Sequence, residues 1–133
     1  MKDYNSFEEL EVWKFCRGFR REISTLTKKF PLSEQFELTR QIKRSARSVT
    51  ANIAEGHGRY GFKDNTRFIR ISMGSLKETL DHLYVALDEE YIDQEEFDML
   101  KIKYISCQRL INGYINYLKN QRCVNSSPLT HHL

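Results

Sequence analysis

The chain has 133 residues and a mass of 15.9 kDa, which against roughly 150 residues per domain leaves room for one domain and little else. A hydrophobic fraction of 40% with 29% charged residues excludes both a disordered chain and a membrane span, and 6 Gly with 2 Pro are too few for the many turns of an all-β fold. The net charge of +3 conceals its distribution: Lys+Arg minus Asp+Glu is 0 over residues 1–37, +7 over 38–77, −9 over 78–98 and +5 over 99–133.

The periodicity predicts four helices. Ser6-Phe7-Glu8-Glu9 fits a capping box in which the Ser6 hydroxyl and the Glu9 carboxylate satisfy each other's amides. Leu10, Trp13, Cys16, Phe19, Ile23, Leu26 and Phe30 follow at steps of three or four until Pro31 stops the helix. Ser33 is the expected cap of a second helix with the stripe Leu38, Ile42, Ala46, Val49 and Ile53, ending at Gly56 in a left-handed position. Asp64 is the expected cap of a third, which carries Phe68, Ile71, Ser72, Ser75, Leu76, Leu80, Leu83 and Leu87 inward. Its small residues Ser72, Gly74 and Ser75 admit a close neighbour.

Asp93 and Glu96 form a D-x-x-E box at the start of the fourth, with Ile92 and Phe97 at the positions of a hydrophobic staple. The seam Phe97, Leu100, Tyr104, Cys107, Ile111, Tyr114 and Leu118 follows. Four long helices with short connections close most simply as an all-α, antiparallel up-down four-helix bundle. The bundle is assigned to residues 1–120 and a flexible C-terminal tail to 121–133.

On that architecture the acidic block Glu78 through Asp98 falls toward one end of the bundle. Arg44, Arg47, Arg59, Lys63, Arg67 and Arg70 fall toward the other. Arg40, Lys43, Arg44 and Arg47 repeat at i, i+3, i+4 and i+7, one stripe opposite the apolar seam of the second helix. A solvated outer face explains such a stripe in outline, but no acids intersperse it, so its cations repel one another unless an anion lies against them. That anion is either the phosphate backbone of RNA or DNA or the acidic end of a second copy of the chain. The predicted nucleic-acid-binding residues are therefore Arg40, Lys43, Arg44, Arg47, Arg59, Lys63, Arg67 and Arg70.

Gly56-His57-Gly58-Arg59-Tyr60-Gly61 spells G-x-G-x-x-G, but it follows a helix and not a strand, so it reads as a turn and no cofactor is expected. An intermediate reading has the loop amides with Arg59 and Lys63 holding a phosphate. His57, His82, His131 and His132 show no metal-ligand spacing, and no local pattern pairs a nucleophile with a base, so neither a metal site nor catalysis is expected. Asn52, Glu55, Ser75 and Glu78 read either as a partly buried polar network between the second and third helices or as exposed and capping residues. Cys16, Cys107 and Cys123 form no CxxC pair and read as reduced thiols. With no secretory start and no apolar run long enough for a bilayer, the expected compartment is the cytoplasm, with no membrane partner.

The run Phe30-Pro31, Glu34, Leu38, Gln41-Ile42, Arg44-Ser45-Ala46, Ser48-Val49 and Asn52-Ile53-Ala54-Glu55-Gly56, with Phe68, Gly74-Ser75 and Glu78, resembles a bacterial four-helix bundle family. That family comprises the proteins encoded in intervening sequences of 23S ribosomal RNA genes. The run resembles, more distantly, the accessory protein of diversity-generating retroelements. The resemblance implies an up-down protomer in a homopentameric ring and, for the retroelement relative, binding to nucleic acid and to a protein partner, the reverse transcriptase. The leading expectation is a non-enzymatic, homo-oligomeric bundle that binds RNA or DNA backbone through its basic face. The alternative is a self-assembly or protein-interaction module whose basic and acidic blocks join protomers.

Overall fold

The computed structural model describes residues 6–59 and 61–126. These residues form four α-helices and no strand: α1 (Glu11–Leu26), α2 (Leu38–His57), α3 (Phe62–Asp88) and α4 (Gln94–Ser126). Three short 3-10 turns at Phe7–Glu9, Thr27–Lys29 and Leu32–Glu34 complete the regular structure. Each helix packs on its sequence neighbours and α1 closes on α4, which gives the up-down bundle expected from the hydrophobic period. α4 runs to Ser126, past the boundary placed at residue 120, and residues 127–133 of the expected tail lie outside the described residues.

Buried residues repeat at helical spacing on every element, with Phe19, Ile23, Ile42, Ile53, Ile69, Leu76, Leu83 and Ile111 almost wholly removed from water. The buried seam of α4 runs as expected except that Ile115 is buried and Tyr114 only partly so. On α3, Ile71 is exposed and Phe68 half-buried, while Ile69 takes the central position. The reason is local. Phe68, Ile69 and Ile71 offer apolar groups on several sides of one turn, and the period alone does not choose among them.

The helix starts show where local chemistry suffices. At α4 the Glu96 amide donates to Asp93 Oδ1 (2.8 Å) and the Asp93 amide to Glu96 Oε1 (3.0 Å), with Ile92 and Phe97 both buried beside them. The other three caps are corrected. The Ser6 hydroxyl accepts from the Glu8 amide (3.4 Å), closing a 3-10 turn, and α1 begins only after extended Leu10. Glu34 and not Ser33 caps α2, its Oε1 accepting from the Leu38 amide (3.1 Å). α3 starts after extended Gly61 without a side-chain cap, and Asp64 lies inside its first turn, ion-paired with Arg67 (3.3 Å).

Both connections at the acidic end interlock. The Tyr91 hydroxyl donates to Glu34 Oε2 (2.7 Å), the Phe30 and Tyr91 rings lie 5.7 Å apart, and Lys29 pairs with Glu96. The Glu34 carboxylate pushes the Tyr91 phenol up to about 12, chiefly because the phenol's proton makes the bond. The unfolded phenol titrates at about 10, so this contribution to stability is complete below that pH and is lost as pH rises toward 12. Unfolding titrations at pH 9 and pH 12 should show a smaller alkaline loss in Tyr91→Phe than in the parent chain; an equal loss in both would place the pH dependence elsewhere.

α3 ends in a Schellman turn, with the Tyr91 amide donating to the Ala86 carbonyl (2.9 Å) and the Glu90 amide to the Leu87 carbonyl (3.0 Å). This turn requires a left-handed residue, and Glu90 fills it at φ 62°. A side chain in that conformation costs about 1 kcal/mol, and its negative charge lies at the negative end of the helix dipole. Glu90→Gly should therefore stabilise the chain by about 1 kcal/mol in urea unfolding; no gain would mean the turn is not strained.

Candidate nucleic-acid interface

α2 and α3 share the most extensive backbone contact in the bundle, across facing residues that are small and hydroxylated. Ser45 Oγ lies 2.8 Å from Thr79 Oγ1 and Ser48 Oγ 2.7 Å from Ser75 Oγ, while the Ser72 hydroxyl donates to the Val49 carbonyl (2.7 Å). Each of these hydroxyls finds a partner, which offsets the desolvation it would otherwise cost. At the end of the seam stands Gly56, where a Cβ would lie 2.7 Å from Asn65 Oδ1, 3.0 Å from the Asn65 carbonyl oxygen and 3.1 Å from Phe68 Cβ. Gly56 is thus a helical residue of close approach. The expected left-handed terminus is corrected, since α2 continues to His57 and no described glycine has positive φ.

The four residues of the expected polar network divide. Asn52 donates to Ser48 Oγ (2.9 Å), which bonds Ser75, so these two belong to the α2–α3 seam. Glu55 turns outward to pair with Arg59 (2.7 Å), and Glu78 turns outward to His82 (3.2 Å). Both acids are more than half exposed, with side-chain exposures of 53% and 56%.

This rigid α2–α3 pair carries the basic residues. Arg40, Arg44 and Arg47 are exposed and Lys43 half-buried along the outer face of α2. Among the described residues none of the four enters an ion pair. The Arg40 guanidinium lies over the Phe36 ring at 5.6 Å. Across the α1–α2 groove Arg20 donates to Thr50 Oγ1 (2.9 Å), whose own proton goes to the Arg47 carbonyl (3.1 Å). Arg20 therefore extends the stripe onto α1, with Arg17 stacked on Trp13 at 5.8 Å on the same helix. Sequence periodicity within α2 could not find Arg20, because the signal lies in the pairing of two helices.

The remaining four cations are held differently. Arg59 and Arg67 lie against the Phe68 ring at 4.7 and 4.6 Å. Asp64 is shared between them, at 4.0 Å from Arg59 and 3.3 Å from Arg67, and Glu55 also holds Arg59. This carboxylate-bridged cluster separates the α2 stripe from Lys63 and Arg70. Those two, with Arg67, line a cavity of about 650 Å³ between the start of α3 and the far end of α4, where Lys119 joins them. The eight predicted residues thus form a free stripe, a neutralised aromatic cluster and one side of a cavity. Lys119 was invisible to a reading of residues 38–77 and becomes legible only when α4 is laid antiparallel to α3.

The glycine-rich stretch lies where α2 passes into α3. Gly56 is inside α2, Gly58 follows it in helical conformation and Gly61 is extended before α3; Tyr60 lies outside the described residues. Arg59 is engaged by the two carboxylates, and Lys63 lines the cavity beyond them. His131 and His132 are outside the described residues, and among the described residues no cluster of His, Cys, Asp or Glu is placed to hold a metal ion. Cys16 and Cys107 meet in the core, where the Cys16 thiol and burial push the Cys107 thiol far above its usual range. Among the described residues no helix is long and apolar enough to cross a membrane.

At the opposite end the acidic block is largely open. Asp88, Glu89, Glu90 and Glu95 are exposed and enter no ion pair among the described residues. The outer face of α4 bears Met99, Ile102 and Ile105 in successive turns, Ile102 being 65% exposed.

Comparison with known proteins gives one consistent result. No curated protein matches the chain. A crystal structure of a protein of unknown function from the S23 ribosomal protein family of Bacteroides thetaiotaomicron superposes with a TM-score of 0.71 at 26% identity. The match covers 78% of this chain and 97% of that one. The sequence pattern of the 23S rRNA-intervening sequence proteins matches residues 8–113, so α1, α2, α3 and α4 as far as residue 113 fall within it, the basic stripe of α2 included. The chain belongs to the 23S rRNA-intervening sequence protein family.

Proposed function

We propose that this protein is a non-enzymatic, homo-oligomeric bundle of the cytoplasm that binds RNA or DNA backbone through the basic surface of α2 and its α1 neighbour. The observation that carries the reading is the state of Arg40, Lys43, Arg44 and Arg47. Four cations line one rigid helix face, and no carboxylate among the described residues is paired with them. Exposed cations at i, i+3, i+4 and i+7 repel one another in the free protein, and a row of phosphates relieves that repulsion while releasing its own counterions. Contacts of this kind position a backbone without reading base edges, so sequence preference should be weak.

Self-association is supported by a different observation. The exposed Met99, Ile102 and Ile105 give α4 an apolar outer strip, and the open acidic end of one copy complements the basic stripe of another. The resemblance implies that the assembly is a pentamer. A native mass measurement tests this part, and a monomer at all concentrations would remove it. Titration of a structured RNA at low salt tests the nucleic-acid part; absence of association would leave the self-assembly reading alone.

A further inference from the structure

The cavity between α3 and α4 is chemically unlike the α2 stripe. It is concave, its volume of about 650 Å³ lies within the range of small-ligand sites, and among the described residues three cations outside any ion pair border it from two helices, Lys63, Arg70 and Lys119, beside the Asp64-bound Arg67. Among the described residues Asp64 is the one carboxylate in its lining, and Arg67 and Arg59 already hold it. Half-buried Phe62 supplies an apolar wall, with the core residue Leu118 packed behind it, and the Thr66 hydroxyl a further polar group. A flat backbone interface has no use for an apolar hollow, whereas a base has an aromatic face to lay against Phe62. An internal phosphodiester brings one negative charge, whereas a terminal phosphate brings about −1.5 to −2 near neutral pH and so better matches several converging cations.

We propose that this cavity binds a nucleoside 5′-phosphate, with the base against Phe62 and the phosphate among Lys63, Arg70 and Lys119. The group is presented either by the phosphorylated 5′ end of an RNA strand or by a free nucleotide. The strand-end form rests on the nucleic-acid reading above and specifies which part of a strand the cavity takes; the free-nucleotide form does not depend on it.

The test compares one short single-stranded RNA with a 5′-phosphate or a 5′-hydroxyl, by fluorescence anisotropy at fixed salt, with adenosine 5′-monophosphate titrated separately by calorimetry. The 5′-phosphorylated strand should bind about tenfold more tightly, as expected for added hydrogen bonds between charged partners. That ratio should fall to near one in Arg70→Gln/Lys119→Gln, whatever the substitutions do to the absolute affinities. In Arg40→Gln/Arg44→Gln both affinities should fall and the ratio persist. Saturable binding of the monophosphate that is lost in Arg70→Gln/Lys119→Gln identifies the free nucleotide as a source, and it would stand even if neither RNA bound and the backbone reading fell. A strand preference with no monophosphate binding assigns the site to strand ends. Equal affinity for both strands together with no monophosphate binding overturns the proposal, as does a preference that survives in Arg70→Gln/Lys119→Gln.

Discussion

Replacing Arg40, Lys43, Arg44 and Arg47 together by glutamine should weaken binding to structured RNA by about a hundredfold at low salt, and nearly equally for unrelated sequences. The size follows from the number of charges. Each cation that meets a phosphate releases close to one condensed counterion, roughly 0.9 per contact on a duplex, so removing four contacts takes about 3.6 units from the slope of log affinity against log salt. The effect should be electrostatic rather than structural. Arg40, Arg44 and Arg47 are exposed, none of the four is in an ion pair among the described residues, and glutamine keeps the helix propensity of the face. Circular dichroism and native mass should be unchanged unless the stripe also joins protomers. An unaltered affinity would move the interface away from α2, whereas a loss confined to one RNA sequence would point to base readout.

The second large effect is on the platform that holds this stripe. Gly56→Val should destabilise the chain by about 3 kcal/mol, measured as a lowered urea midpoint at fixed protein concentration. In an open helix, losing glycine helps by about 1 kcal/mol or less, and Gly74 shows that case: nothing lies within 4 Å of its missing Cβ, so Gly74→Ala should stabilise. At Gly56 the sign reverses. The added carbon meets the Asn65 carbonyl oxygen at 3.0 Å and Phe68 Cβ at 3.1 Å, neither of which can swing aside without moving the first turn of α3. Asn65 Oδ1, buried without a hydrogen-bond partner, lies against the same spot. Because this contact closes the α2–α3 seam, the substitution should also weaken RNA binding indirectly, through the geometry of both basic groups. Wild-type stability in Gly56→Val would mean that the two helices have slack there.

The bundle was legible because most of its determinants are local and periodic. The Asp93–Glu96 box works within four residues, and the α4 seam repeats without competition from Phe97 to Ile111, so both read directly from the chain up to the turn where Ile115 displaces Tyr114. The start of α2 did not, because Glu34 caps Leu38 from a separate 3-10 turn and its other oxygen is tied to Tyr91, far off in sequence. The role of Gly56 was misread for a related reason. A glycine near a helix end satisfies either a left-handed terminus or a close crossing, and only the approach of α3 decides between them.

The basic residues show the same boundary. The stripe on α2 needs only one helix's period and was visible as a whole. Its continuation through Arg20 and the gathering of Lys119 with Lys63 and Arg70 depend on which helices lie side by side. Of the polar residues singled out, Asn52 and Ser75 share Ser48 as a partner, while Glu55 and Glu78 find partners one turn away and stay near water. Sequence spacing put all four near the same seam; the competition between an inward hydroxyl partner and an outward cation separated them.

The measurement that tests the central claim most directly is the affinity of the intact chain for a structured RNA duplex across a salt series. If the α2 stripe docks on phosphates, log affinity should fall linearly with log salt with a slope of about −3.6 or steeper, as four or more contacts require. A slope near zero, or no binding at the lowest salt, would contradict the account.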